Sequence, residues 1–182
     1  MASRPTTRRS RSPVGSVLPV LFRDHAVVDL VEQACSVWEG TPYQHGQCSL
    51  HYGVDCIHFG AAVLDTLYGV RHSKNLRSLP PDACVHNRKG VQKALKLMLE
   101  TYPGIRRSDD GFIEPGDLLV LGPVVSGERA EAAHLMVVGQ RGRLWHATPP
   151  RVCFTGYVIS DHEELLAVYR SSDKEVWHAG SR

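Results

Sequence analysis

Apolar residues recur with a helical period in the first half of this chain and in short alternating runs in the second. Val27, Val31, Ala34, Cys35 and Trp38 fall on one face of a helix that Asp24 can cap and Gly40 can stop. A polar loop follows. A second helix is predicted to open at Asp55–Cys56 and to carry Phe59, Val63, Leu64 and Leu67 as far as Gly69. After a proline-containing connection, NRKGVQKALKLMLETYPG reads as a third helix closed by Pro103–Gly104. The pattern then shifts to EPGDLLVLG, AHLMVVG, RLWHA, CFTGYVIS and LLAVYRS, short runs separated by glycine and proline turns that read as strands. Helices first and strands afterwards predict an α+β domain with an antiparallel sheet rather than a nucleotide-binding βαβ wind. GVDCIHFG is no phosphate loop, because it lacks the Lys-Ser/Thr end and no strand obviously precedes it.

At 182 residues the chain suits one domain with a core of its own. The organisation expected is an Arg/Ser/Pro-rich disordered arm over residues 1–19, a folded domain over 20–172 and a polar tail over 173–182, in which Trp177 and His178 have no assignable role. The net charge of +2 is misleading: Arg4, Arg8, Arg9 and Arg11 lie in the arm, and without them 17 bases face 19 acids. The folded part therefore has no global attraction for nucleic acid, and no run is apolar enough to cross a membrane. VGSVLPVLF is too short for a secretory signal, so the expectation is synthesis in a cytoplasm with the five cysteines reduced.

One stretch carries chemistry in unusual density. GTPYQHGQCSLHYGVDCIHFG holds His45, Cys48, His51, Cys56 and His58. A zinc reading is weak, because the spacing matches no paired knuckle and no second CxxC or HxxxH completes a site. A bland reading makes Cys56 a small buried hydrophobe, as most free cysteines are. A catalytic reading starts from its place in the first turn of a helix, where unpaired N–H groups and the positive end of the dipole favour a thiolate. Those N–H groups could also receive an oxyanion.

A nucleophile of this kind needs a base and a group to hold the base. His134 opens HLMVVG and His146 lies in RLWHA, on either side of the turn GQRG. A three-residue loop, Gln140 to Gly142, sets Met136 opposite His146 and makes His134 its diagonal neighbour on the same face. A two-residue loop puts the histidines on opposite faces. The residues alone leave both registers open.

WEGTPYQHGQCSLHYGVDCIHFGAAVLDTLYG closely resembles the nucleophile region of NlpC-type cell-wall cysteine peptidases, in which GTPY, a loop and G-x-D-C open the central helix. The order continues with a PGDL strand, a strand beginning with the catalytic histidine and a polar third residue, here EPGDLLVLG, AHLMVVG and His146. The resemblance covers roughly residues 27–158. It implies a papain-like core with N-terminal helices, the nucleophile helix packed on an antiparallel sheet. It also implies Cys56 as nucleophile, His134 as general base and His146 as the residue orienting it. Tyr43 falls where the family places a tyrosine near the oxyanion, and Asp55 where it places an acid holding the substrate's amino terminus. The activity implied is hydrolysis of γ-D-glutamyl to diamino-acid bonds in peptidoglycan stem peptides, without cofactor or metal. The short form is similar to members associated with phage tails and phage-like particles, which implies delivery to the wall in a particle. The chain departs from the family in reading D-C-I-H-F where relatives read D-C-S-G-F: Ile57 lacks a hydroxyl and His58 replaces a glycine. That departure keeps open a related amidase, deamidase or acyltransferase, or a non-catalytic tail-assembly module with the same fold.

Overall fold

The computed structural model describes residues 19, 25–76, 88–102, 104–124, 131–156, 159, 161–172 and 177. Its central element is helix α2 (Cys56–Tyr68), where Ile57, Phe59, Ala61, Val63, Leu64 and Leu67 are all buried. A helix apolar on nearly every side must be covered on nearly every side. Helix α1 (His25–Ser36), the short α3 (Ser73–Leu76) and α4 (Arg88–Thr101) flank it, and a sheet closes the remaining side. Asp55 caps its start, accepting the His58 N–H. Gly69 ends it at φ 65, donating its N–H to the Asp65 and Thr66 carbonyls.

A ribbon of β1 (Cys48–Ser49) and β2 (Gly53–Val54) precedes α2. The main sheet comprises β3 (Ile105–Ser108), β4 (Leu118–Pro123), β5 (His134–Val138), β6 (Leu144–Thr148), β7 (Arg151–Thr155) and β8 (Glu163–Ser171), in the order β3-β8-β4-β5-β6-β7. Every neighbouring pair in it is antiparallel. Helices precede an antiparallel sheet, as an α+β domain requires. Leu118, Val120, Leu135, Val137, Trp145, Ala147 and Val152 join the helices in the larger core. Leu119, Leu121, Met136, Val138, Leu144 and Val168 form a smaller cluster on the other face, with Ile113. Burial on both faces explains why β4 and β5 read as continuous apolar runs. Helix α2 lies close on β5 because residue 60 is glycine: a Cβ there would stand 2.5 Å from Leu135 Cδ2.

Several elements differ from the sequence expectation. Strands β1 and β2 and helix α3 are too short to show a period. Strand β3, with Arg106 and Arg107 exposed, has none of the apolar signature of a buried strand. The strand expected from Cys153 begins two residues earlier, at Arg151, and stops at Thr155. Asp24, expected to cap α1, and Cys84 lie outside the described residues, as do residues 1–18 and most of the expected tail. Trp177 is the exception, and it corrects the expectation for the tail. It is 1% exposed, stands edge-on to Tyr68 with centroids 6.2 Å apart, and fills space that Gly116, at φ +88, leaves open. At the other boundary the Pro19 carbonyl accepts the Ile113 N–H. Among the described residues no helix is long and apolar enough to cross a membrane.

Candidate active site

The loop over residues 40–44 is bonded into the sheet before the chain reaches β1. Gly40 N–H donates to the Val152 carbonyl, Val152 N–H to Thr41, and Tyr43 N–H to Pro150. Tyr43 also bridges to Val54, two residues before Cys56. The start of α2 is thereby tied to the turn between β6 and β7. That is the end of the sheet where β6 finishes and β5 begins, so Cys56, His134 and His146 come to one end of the molecule.

The hairpin β5–β6 turns through a single 3-10 turn, Gln140–Gly142. It pairs Val137 with Trp145 and Val138 with Leu144. In that register His146 lies opposite Met136 and diagonal to His134, and the two imidazoles are hydrogen-bonded, His134 Nε2 to His146 Nδ1 at 2.9 Å. Both rings share the face of the smaller apolar cluster, whereas α2 packs on the opposite face. Burial, then the neighbouring charge of His146, push the His134 pKa down to about 4. Burial also lowers that of His146. Both rings are accordingly neutral near pH 7, the state a general base requires.

Cys56 is the first residue of α2 and is 7% exposed. Asp55, at 1% exposure, faces inward. Its Oδ1 accepts the His58 N–H at 2.9 Å, its Oδ2 the Gly46 N–H at 2.7 Å, and both oxygens lie 2.9 Å from His58 Nδ1. Burial would raise its pKa, but the bonds and charge of His58 and the Gly46 N–H outweigh this and hold it below the usual carboxylate value. The carboxylate expected to hold a substrate ammonium is thus bonded into the loop at Gly46 and the helix cap at His58. His58 is 2% exposed and paired with Asp55. Its Nε2 has no hydrogen-bond partner among the described residues.

The Tyr43 hydroxyl lies 3.2 Å from His45 Nδ1, with the two rings edge-on. The Cys48 sulfur lies 3.8 Å from the His58 carbonyl, and His51 occupies a turn at φ 66. Among the described residues no group of three or more His, Cys, Asp or Glu side chains is placed to hold a metal ion.

Two residues of this neighbourhood escape sequence reasoning. Cys153, to which the sequence assigns no role, is the cross-strand partner of His146, with its sulfur 3.6 Å from His146 Nε2. The signal was the tight Pro149–Pro150 turn, which fixes that pairing once both strands are assigned. Glu32, a lone acid on the buried side of α1, accepts bonds from Gln140 N–H and Trp145 Nε1–H, each 3.1 Å, and from Arg143 Nη1. It anchors the hairpin that carries both histidines; only its i,i+3 spacing from Cys35 marks it as facing inward.

No protein-family model matches the chain, and no curated protein matches it. Among solved structures, the chain is similar to a crystallised protein described as similar to a lipoprotein, of the NLP/P60 family, from Staphylococcus aureus subsp. aureus Mu50. The identity is 20% and the TM-score 0.47, with 82% of this chain and 42% of that one covered. The chain spans less than half the length of that protein.

Proposed function

We propose that this protein is a thiol hydrolase in which Cys56 is the nucleophile, His134 the general base and His146 the group that orients it. The observation that carries this is the 2.9 Å bond between His134 Nε2 and His146 Nδ1 on adjacent strands, at the end of the sheet where a helix begins with a cysteine. That bond occupies Nε2 of His134 and leaves Nδ1 for the thiol. In the proposed reaction Cys56 Sγ forms a bond to the amide carbon as its proton passes to His134 Nδ1, and the carbonyl electrons move onto oxygen. The Cys56 N–H, in the first turn of α2, and the Tyr43 hydroxyl stabilise that oxyanion. His134 then protonates the leaving nitrogen as the C–N bond breaks. Water, deprotonated by the same ring, cleaves the thioester to a carboxylic acid and restores the thiol.

The residue-level resemblance supports the amide between D-glutamate and a diamino acid in peptidoglycan stem peptides as the bond cut, and delivery in a phage-tail-like particle. A second reading is favoured by one observation. With the Asp55 oxygens engaged internally and Ile57 and His58 in place of Ser and Gly, the means of holding a free stem-peptide amine differs from the family pattern, which suits the same thiol chemistry on another amide or acyl donor. Mass spectrometry of defined muropeptides, incubated with wild type and Cys56→Ala, tests both. A Cys56-dependent cut after D-glutamate is expected. A Cys56-dependent product elsewhere supports the second reading, and undiminished cleavage by Cys56→Ala would end the thiol mechanism.

A further inference from the structure

We propose that Cys153 is a positioning residue of this site, holding the proton of His146 on the nitrogen the mechanism needs. The inference rests on the thiol-hydrolase reading above and extends its chain of contacts by one group. His134, His146 and Cys153 stand on one face of three adjacent strands. His146 and Cys153 are direct cross-strand partners, and His134 lies diagonally across the other hairpin. The contacts run His134 Nε2 to His146 Nδ1, 2.9 Å, and His146 Nε2 to Cys153 Sγ, 3.6 Å.

The direction of the hydrogens follows from the chemistry. For His134 to take the Cys56 proton on Nδ1, its own hydrogen must sit on Nε2 and be donated to His146. His146 Nδ1 is then an acceptor, and a neutral imidazole places its one hydrogen on Nε2, facing the Cys153 sulfur. When His134 becomes an imidazolium it donates from both nitrogens, and the same arrangement of His146 is required. If instead the Cys153 thiol donated to Nε2, His146 would donate from Nδ1, and His134 would present an N–H to the nucleophile with no lone pair to receive its proton. His146 is 7% exposed, so bulk water is a poor substitute partner. The sulfur is therefore placed to accept, and burial, the leading influence on its acidity, keeps it a neutral thiol. A group at 153 that only accepts should strengthen the working tautomer, and one that cannot accept should weaken it.

The test is the pH dependence of Cys56 alkylation by iodoacetamide, followed on the Cys56 peptide by mass spectrometry, in wild type, Cys153→Ala, Cys153→Asp and His134→Ala. Loss of one hydrogen bond, about 0.5–1.5 kcal/mol, corresponds to a roughly two- to tenfold slower reaction at neutral pH for Cys153→Ala, with its profile displaced to higher pH. Cys153→Asp, whose oxygens reach further than sulfur and only accept, should displace it to lower pH. Muropeptide turnover should follow the same order in kcat, with KM unchanged. Opposite displacements from one backbone position are not what a packing role gives. Superimposable profiles for wild type and Cys153→Ala, or equal impairment by Ala and Asp, would overturn the inference while leaving a His134-dependent Cys56 intact. A Cys56 profile that His134→Ala does not alter would overturn the functional reading, and this inference with it.

Discussion

Glu32→Ala removes the acceptor that ties the histidine hairpin to α1. The carboxylate receives Trp145 Nε1–H and Gln140 N–H at 3.1 Å each, and Arg143 Nη1. Trp145 is 1% exposed, so its indole N–H would be left in an apolar surrounding without a partner, at about 1–3 kcal/mol. The Gln140 N–H, part-buried, adds roughly 1 kcal/mol. The Arg143 side chain is 41% exposed and can turn to water, so its ion pair contributes only a few tenths to about 1 kcal/mol. Alanine is the better helix former and returns a few tenths of a kcal/mol. The net expectation is a loss of about 3 kcal/mol, measured by urea unfolding, and a melting temperature lower by roughly 6–12 °C for a chain of this size. Glu32→Gln keeps an acceptor oxygen and should lose about half as much. Because Gln140 and Arg143 flank the turn between the two histidines, Cys56 reactivity should fall as well, even where the protein remains folded. A loss below about 0.5 kcal/mol would refute the reasoning, since surface substitutions reach that value without any buried partner.

Two further expectations are independent of that network. Gly60→Ala drives a methyl to 2.5 Å from Leu135 Cδ2, and both sites are fully buried; it should cost about 1–3 kcal/mol by denaturant unfolding, and Leu135→Val in the same chain should recover part of this. His134, with its pKa pushed down to about 4 from an ordinary value near 6.5, binds fewer protons folded than unfolded. Its contribution to stability is thus intact above pH ~6.5 and is lost as pH falls towards 4, by up to a few kcal/mol; urea midpoints between pH 7 and 4 should fall more steeply in wild type than in His134→Gln.

The order of helices and strands and the start of α2 at Cys56 are legible in the sequence because long apolar periods and strong punctuation agree there. The diagonal placement of His134 and His146 is legible too, once the turn is read as three residues, since the period of two then fixes every side chain in the hairpin. Other features depend on contacts between distant segments, which a periodic pattern does not encode. Glu32 meets its partners more than a hundred residues away, and Trp177 reaches the core from beyond the last strand. The inward turn of Asp55 onto His58 is hidden for a different reason. Both residues are polar and stand at a helix start, where exposure is the ordinary expectation, and only the fold reveals that each is buried against the other.

The bonding of residues 40–44 along β7 has a consequence for the protein's behaviour in solution. Strand β7 ends the sheet on one side, and a bare outer strand is a template for pairing with another molecule. Gly40 and Thr41 occupy its backbone groups at Val152, and Tyr43 the carbonyl of Pro150 in the turn before it, while the opposite margin, β3, displays Arg106 and Arg107 to water. The loop bonded to the strand before α2 thus also covers part of the β7 edge against intermolecular strand addition. Substitutions that loosen it should couple a change in Cys56 reactivity to self-association, because one loop is bonded both to the strand before α2 and to the edge of the main sheet.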